Sequence, residues 1–85
     1  MTAKPTIAVV TPDIGASGAI HVGQWLVDEG DSVREGDRLV ELVADGVVWI
    51  VASPATGHVA KHRIRSGATT VPEDELGCIA RAVHD

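Results

Sequence analysis

Apolar residues fall in short runs along this chain, each broken by glycine, proline or aspartate before a helical period could establish itself. IAVV at 7–10 ends at Thr11 and Pro12, and AIHVGQWLV at 19–27 follows a loop that carries Gly15, Ser17 and Gly18. RLVELVA and VVWIVAS flank the pair Asp45-Gly46, SPATG leads into HVAKHRI, and ELGCIARAV is the last run. DEGDSVREGD, with Val33 inside it, reads as a polar turn region, and SGATTVPED reads as a loop. No run repeats apolar positions at helical spacing over the ten or so residues a helix needs, so the pattern predicts strands joined by turns.

The pair at 45–46 predicts a particular turn. A two-residue type I′ loop needs positive φ at both central residues, which Asp-Gly supplies, because glycine has no Cβ to oppose it. That loop places Ala44 opposite Val47, Val43 opposite Val48, Leu42 opposite Trp49, Glu41 opposite Ile50 and Val40 opposite Val51. Strand alternation then puts Val40, Leu42, Ala44, Val47, Trp49 and Val51 on the face expected to enter the core. The opposite face carries Glu41, Val43, Val48 and Ile50, so three of its four side chains are aliphatic.

The two halves of the chain also correspond. Gly18 with Ile20, Gly30 with Val33 and Leu39 has a counterpart in Gly57 with Val59, Gly67 with Thr70 and Leu76. This correspondence predicts a duplicated four-strand unit whose copies pack face to face as a flattened barrel or sandwich.

Composition narrows the function. The 85 residues suit a single small domain, expected over 6–83 behind a flexible leader at 1–5. A net charge of −5, with Trp25 and Trp49 as the only aromatic residues, argues against nucleic-acid binding, which calls for a basic face and stacking platforms. No stretch approaches the length of a membrane span and no secretion signal is visible, so the expected setting is cytoplasmic, without a membrane partner. Cys78 is a lone cysteine in an apolar run, which favours a buried, inert thiol.

The remaining polar residues do not assemble into a catalytic or metal-binding motif. His58 and His62 on one strand would stand roughly 13 Å apart, too far to share an ion, and His21 and His84 lack ligand-like neighbours; no metal is expected. Asp28, Glu29, Asp31, Glu35 and Asp37 interleave with Gly30 and Gly36 as a solvated turn would. Ser17, Ser32, Ser53 and Ser66 have no nucleophile elbow, and the glycines at 15 and 18 do not open a helix as a phosphate cradle would.

PDIG at 12–15, GQWLVDEGDSV at 23–33, GDRLVEL at 36–42 and SPATGHV at 53–59 together resemble the lipoyl domains of 2-oxo acid dehydrogenase complexes and, more distantly, biotinyl carrier domains. The resemblance implies an all-β fold of two four-stranded antiparallel sheets related by a pseudo-twofold axis, with one exposed hairpin far from the termini. In that family the hairpin carries Asp-Lys-Ala, and the lysine bears the lipoyl group. Aligned on Leu39, Glu41, Ser53 and Pro54, Asp45 falls on the aspartate, Gly46 on the lysine and Val47 on the alanine, which implies that neither lipoate nor biotin is carried.

Lys4 and Lys61, the chain's two lysines, stand away from the hairpin. The expectation is therefore a non-enzymatic binding or structural module without a cofactor. Its contact surface is Val43, Val48 and Ile50, and its partner is a dehydrogenase-complex subunit or a second copy of itself. The competing expectation is a piece of an acyltransferase subunit whose other domains carry the lipoyl group and the catalysis. A membrane efflux adaptor, a third relative of the fold, would bring a long helical hairpin that these residues do not encode.

Overall fold

A computed structural model of the chain describes residues 5–82. Eight strands follow one another: β1 (Thr6–Val10), β2 (Ile20–Trp25), β3 (Ser32–Val33), β4 (Arg38–Ala44), β5 (Val47–Ala52), β6 (Gly57–His62), β7 (Thr69–Thr70) and β8 (Glu75–Arg81). They form two four-stranded antiparallel sheets, in the orders β1-β8-β6-β3 and β5-β4-β2-β7. The all-β architecture implied by the sequence is the one observed.

The two orders are one pattern written twice. Exchanging β1 with β5, β8 with β4, β6 with β2 and β3 with β7 turns one sheet into the other. Backbone hydrogen bonds obey the same exchange: Gly30 donates to the Val59 carbonyl and Gly67 to the Val22 carbonyl, each at 2.7 Å. Both glycines have positive φ, 95° and 91°, a backbone shape that favours a residue without Cβ.

The duplication read from the sequence is thus real, but its first pairing needs correction. Val22, not Ile20, is the partner of Val59, and Ile20 is the partner of Gly57. Gly18 lies in the long loop between β1 and β2 and is not the counterpart of Gly57.

Four further sequence expectations are revised. The run at 19–27 yields a strand only over Ile20–Trp25, because Leu26 and Val27 leave the sheet, the Leu26 amide bonding the Leu39 carbonyl at 2.7 Å. Val33 and Thr70 lie in two-residue strands inside segments read as turn and loop; such strands are too short to show any period. Val47 and Trp49, placed on the core face, are 49% and 40% exposed, because β5 is an edge strand and its inner face overhangs the core. Only Val51 of that row packs against the buried cluster.

The core is built from small and branched side chains. Leu39, Val40, Leu42 and Leu76 have no exposed surface, and Val9, Val22, Val59 and Ile79 have next to none. Leu39 and Leu76 each sit at a register shift, Leu39 between β4 and β5 and Leu76 between β8 and β1, so a bulge turns both leucines inward at equivalent places. Ile14 and Ala16 from the β1–β2 loop cover one part of the cluster, and Val27 and Ile64 cover others. Trp25 stacks on its repeat counterpart His62, ring centroids 4.0 Å apart, and donates its indole N–H to the Ile64 carbonyl at 2.8 Å.

Candidate functional site: the β4–β5 hairpin

The hairpin follows the register that its turn dictates. Ala44 pairs with Val47, Val43 with Val48, Leu42 with Trp49, Glu41 with Ile50 and Val40 with Val51. Asp45 and Gly46 have φ of 52° and 75°, as a type I′ turn requires. A Cβ built on Gly46 would meet no atom within 4 Å, so the tip stands in open space.

Asp45 is not a free acid at that tip. Its carboxylate accepts the Ser17 amide at 2.9 Å and the Ser17 hydroxyl at 3.1 Å, which ties the turn to the β1–β2 loop. The Ser17 amide favours the ionised form most, followed by the Ser17 hydroxyl and the Gly18 amide. Desolvation opposes them and is second in size only to the Ser17 amide, but together the donors hold the Asp45 carboxyl below its ordinary value. Nothing local in the sequence marks this tether, since 28 residues separate the partners.

The outward face of the hairpin presents Val43, Val48 and Ile50, which are 36%, 56% and 44% exposed. Val47 and Trp49 add exposed apolar surface on the other face of the same strand, so β5 is apolar on both sides. One signal could have exposed Trp49 in advance: VVWIVA is apolar without alternation, and only a strand with neighbours on both faces buries such a run completely.

The other residues weighed in the sequence are dispersed or occupied. Lys61 lies on β6, opposite Cys78 of β8, in the sheet that does not contain the hairpin. Lys4 and His84 fall outside the described residues. Cys78 is buried. His58 pairs with Ser32 across β3–β6, while His62 is held in the Trp25 stack, so the two histidines are engaged at separate places. Among the described residues no cluster of three or more metal-ligating side chains occurs.

Asp31 and Asp37 close their own turns, while Glu29 reaches across to β6. Asp31 accepts the Asp28 amide, Asp37 accepts the Arg34 amide and Glu29 accepts the His62 amide, each at 2.8 Å. Ser53 is buried, its hydroxyl donating to the Ala55 carbonyl at 2.7 Å. Arg63 is paired with Glu75 at the surface. Among the described residues, no helix is long and apolar enough to cross a membrane.

Two matched four-stranded antiparallel sheets define a biotinyl- and lipoyl-type domain. The family model described as "Biotin-requiring enzyme" matches residues 7–79, and the chain belongs to that family. Over 58 residues it is 38% identical to the dihydrolipoyllysine-residue acetyltransferase component of the mitochondrial pyruvate dehydrogenase complex of Caenorhabditis elegans, covering 68% of this chain and 11% of that protein.

Two bacterial relatives point the same way. The corresponding Staphylococcus aureus component is 35% identical over 68 residues, covering 76% of this chain and 15% of the relative. The dihydrolipoyllysine-residue succinyltransferase component of the 2-oxoglutarate dehydrogenase complex of Rickettsia bellii is 28% identical over 74 residues, covering 86% and 18%. The chain thus spans less than a fifth of the length of these relatives.

Proposed function

We propose that this domain is a lipoyl-domain relative that carries no swinging arm and acts by binding, as a structural or docking module of a 2-oxo acid dehydrogenase type complex in the cytoplasm. One observation carries this reading: the residue at the projecting turn is Gly46, which offers no atom beyond its backbone. A lipoyl or biotinyl group is attached through a side-chain amine, and no rotamer of a glycine supplies one. Lys61 does not substitute for it, being fixed on a strand of the other sheet. The residues present therefore do not fit the cofactor that this family carries, and no transfer step is routed through it.

With carrier chemistry set aside, the hairpin retains its apolar outward face. Val43, Val48 and Ile50 form the contact surface, exposed together beside the tip, where a carrier domain would meet its enzymes. The similarity to acyltransferase components supports a second reading: the domain is part of such a subunit, and other domains of that subunit hold the lipoyl group and the catalytic residues.

Co-expression with a lipoyl ligase and lipoate, followed by intact-mass measurement, tests the first reading. The unaltered chain is expected to gain no mass, and Gly46→Lys is expected to gain one lipoyl group. A lipoyl adduct on the unaltered chain overturns the proposal.

A further inference from the structure

The edge of β5 has properties that an arm-bearing hairpin does not need. Val47–Ala52 form the outermost strand of their sheet, and β4 is their only ladder neighbour among the described residues. The stretch contains no charged residue and no proline, and both its faces are apolar. Exposed edges are normally blunted by charge, proline, bulges or shortness. The other three edges are shorter or less apolar: β3 and β7 have two residues each, and β1 exposes Thr6 and Ala8 beside one large apolar side chain, Val10, whereas β5 exposes four, Val47, Val48, Trp49 and Ile50.

We infer that β5 pairs antiparallel with β5 of a second copy of this chain, centred on Trp49, joining the two hairpin sheets into one sheet of eight strands. The inference rests on the reading of the hairpin as a binding surface and names its occupant.

Register geometry selects this arrangement. Opposed residues in a sheet share a face, so a twofold axis between two identical strands must pass through a residue position rather than between two. Centring on Trp49 sets Trp49 against itself, Val48 against Ile50 and Val47 against Val51, which keeps every pair apolar. In a two-residue hairpin the residues flanking the turn, Ala44 and Val47, form a hydrogen-bonded pair, so alternation directs the N–H and C=O groups of Val48 and Ile50 away from β4. Those are the groups that the pairing brings face to face. Each Val48–Ile50 pair exchanges both of its hydrogen bonds.

Side chains and charge agree with the backbone. On the outward face the rows become Val43–Val48–Ile50–Glu41 read across both copies, a continuous aliphatic strip with a glutamate at each end. The Glu41 carboxylate lies in line with Val43 of the second copy and not with that copy's Glu41, and three strand spacings of about 4.8 Å separate it from that valine. Two chains of net charge −5 thus meet along a strand that carries no charge, with their acidic groups held back. The exposed Trp49 rings come together on the opposite face. The contact is confined to one six-residue edge strand from each copy, so association is weak and fast.

The experiment is a dilution series of the purified chain in sedimentation velocity, with amide hydrogen exchange of residues 47–51 measured at both ends of the series. The expected result is a monomer–dimer equilibrium in which the Val48 and Ile50 amides gain at least tenfold protection at high concentration and the Glu41 and Val43 amides do not change.

Val48→Lys is expected to abolish the dimer by placing cations in the strip. Ile50→Pro is expected to do so by removing an outward N–H, which an edge strand tolerates. Circular dichroism checks that both variants keep the fold. A strict monomer, a dimer indifferent to both folded variants, or open-ended aggregation overturns the self-pairing. If the chain is monomeric but binds a purified dehydrogenase-complex subunit through Val48 and Ile50, the self-pairing fails and the binding-module reading stands. A lipoyl adduct on the unaltered chain removes that reading itself.

Discussion

Replacing Gly46 by lysine asks whether the fold or only the sequence keeps an amine from the hairpin tip. A Cβ at Gly46 meets nothing within 4 Å, so no steric penalty arises from neighbours. What remains is the backbone: φ of 75° places the residue in the left-handed region, which costs an L-residue about 1–2 kcal/mol relative to glycine. Asp45 already bears φ of 52° beside it, aided by the Ser17 tether, so the turn as a whole accommodates side chains.

We therefore expect Gly46→Lys to fold with a loss of about 1–2 kcal/mol. With a urea m-value of about 1 kcal/mol/M for a small domain, the midpoint falls by roughly 1–2 M. Urea unfolding followed by circular dichroism measures this, and the slope should not change. A loss above about 4 kcal/mol, or a chain that no longer folds, would refute the argument that open space surrounds the tip and that only backbone strain opposes a lysine there.

Three further outcomes are expected. Gly57→Ala, unlike Gly46→Lys, fails for lack of room: its Cβ would run into the Ala80 backbone carbonyl across the β6–β8 ladder, so a loss of about 3 kcal/mol or more is expected in the same unfolding assay. Trp25→Phe keeps an aromatic ring over His62 but strips the Ile64 carbonyl of its indole donor, and should cost about 1–2 kcal/mol. Ser17→Ala should move the Asp45 carboxyl upward in an NMR titration of its side-chain carbon, because one donor to the carboxylate is lost. Since the fold lowers that pKa, the tether stabilises the protein above the ordinary carboxylate value of about 4 and loses its effect as pH falls through the lower value held in the fold. An unshifted Asp45 titration in Ser17→Ala would contradict the hydroxyl's part in holding that carboxyl low.

What the sequence conveyed depended on how local each signal was. Asp45-Gly46 fixes its turn by φ alone, and the pairing from Val40–Val51 to Ala44–Val47 follows without reference to the rest of the chain. The glycines at 30 and 67 announced the repeat because each holds a positive φ at an equivalent bend. Burial of Val47 and Trp49 was misjudged for a different reason. Alternation tells which face a residue shares, but only strand order tells whether that face has a neighbouring sheet beneath it, and β5 lies at the edge.

The Ser17–Asp45 tether and the Trp25–His62 stack were likewise illegible. Each joins residues remote in the chain, and no periodicity encodes such a contact. Val33 and Thr70 were hidden by brevity, a two-residue strand having no pattern to display.

The central claim is that a carrier-type scaffold presents, at its projecting turn, a residue that cannot be loaded. Intact mass of the unaltered chain after exposure to lipoyl ligase, lipoate and ATP tests it most directly, with Gly46→Lys treated in parallel to prove the ligase active. The account predicts an unchanged mass for the first and the mass of one added lipoyl group for the second. A lipoylated unaltered chain would contradict it.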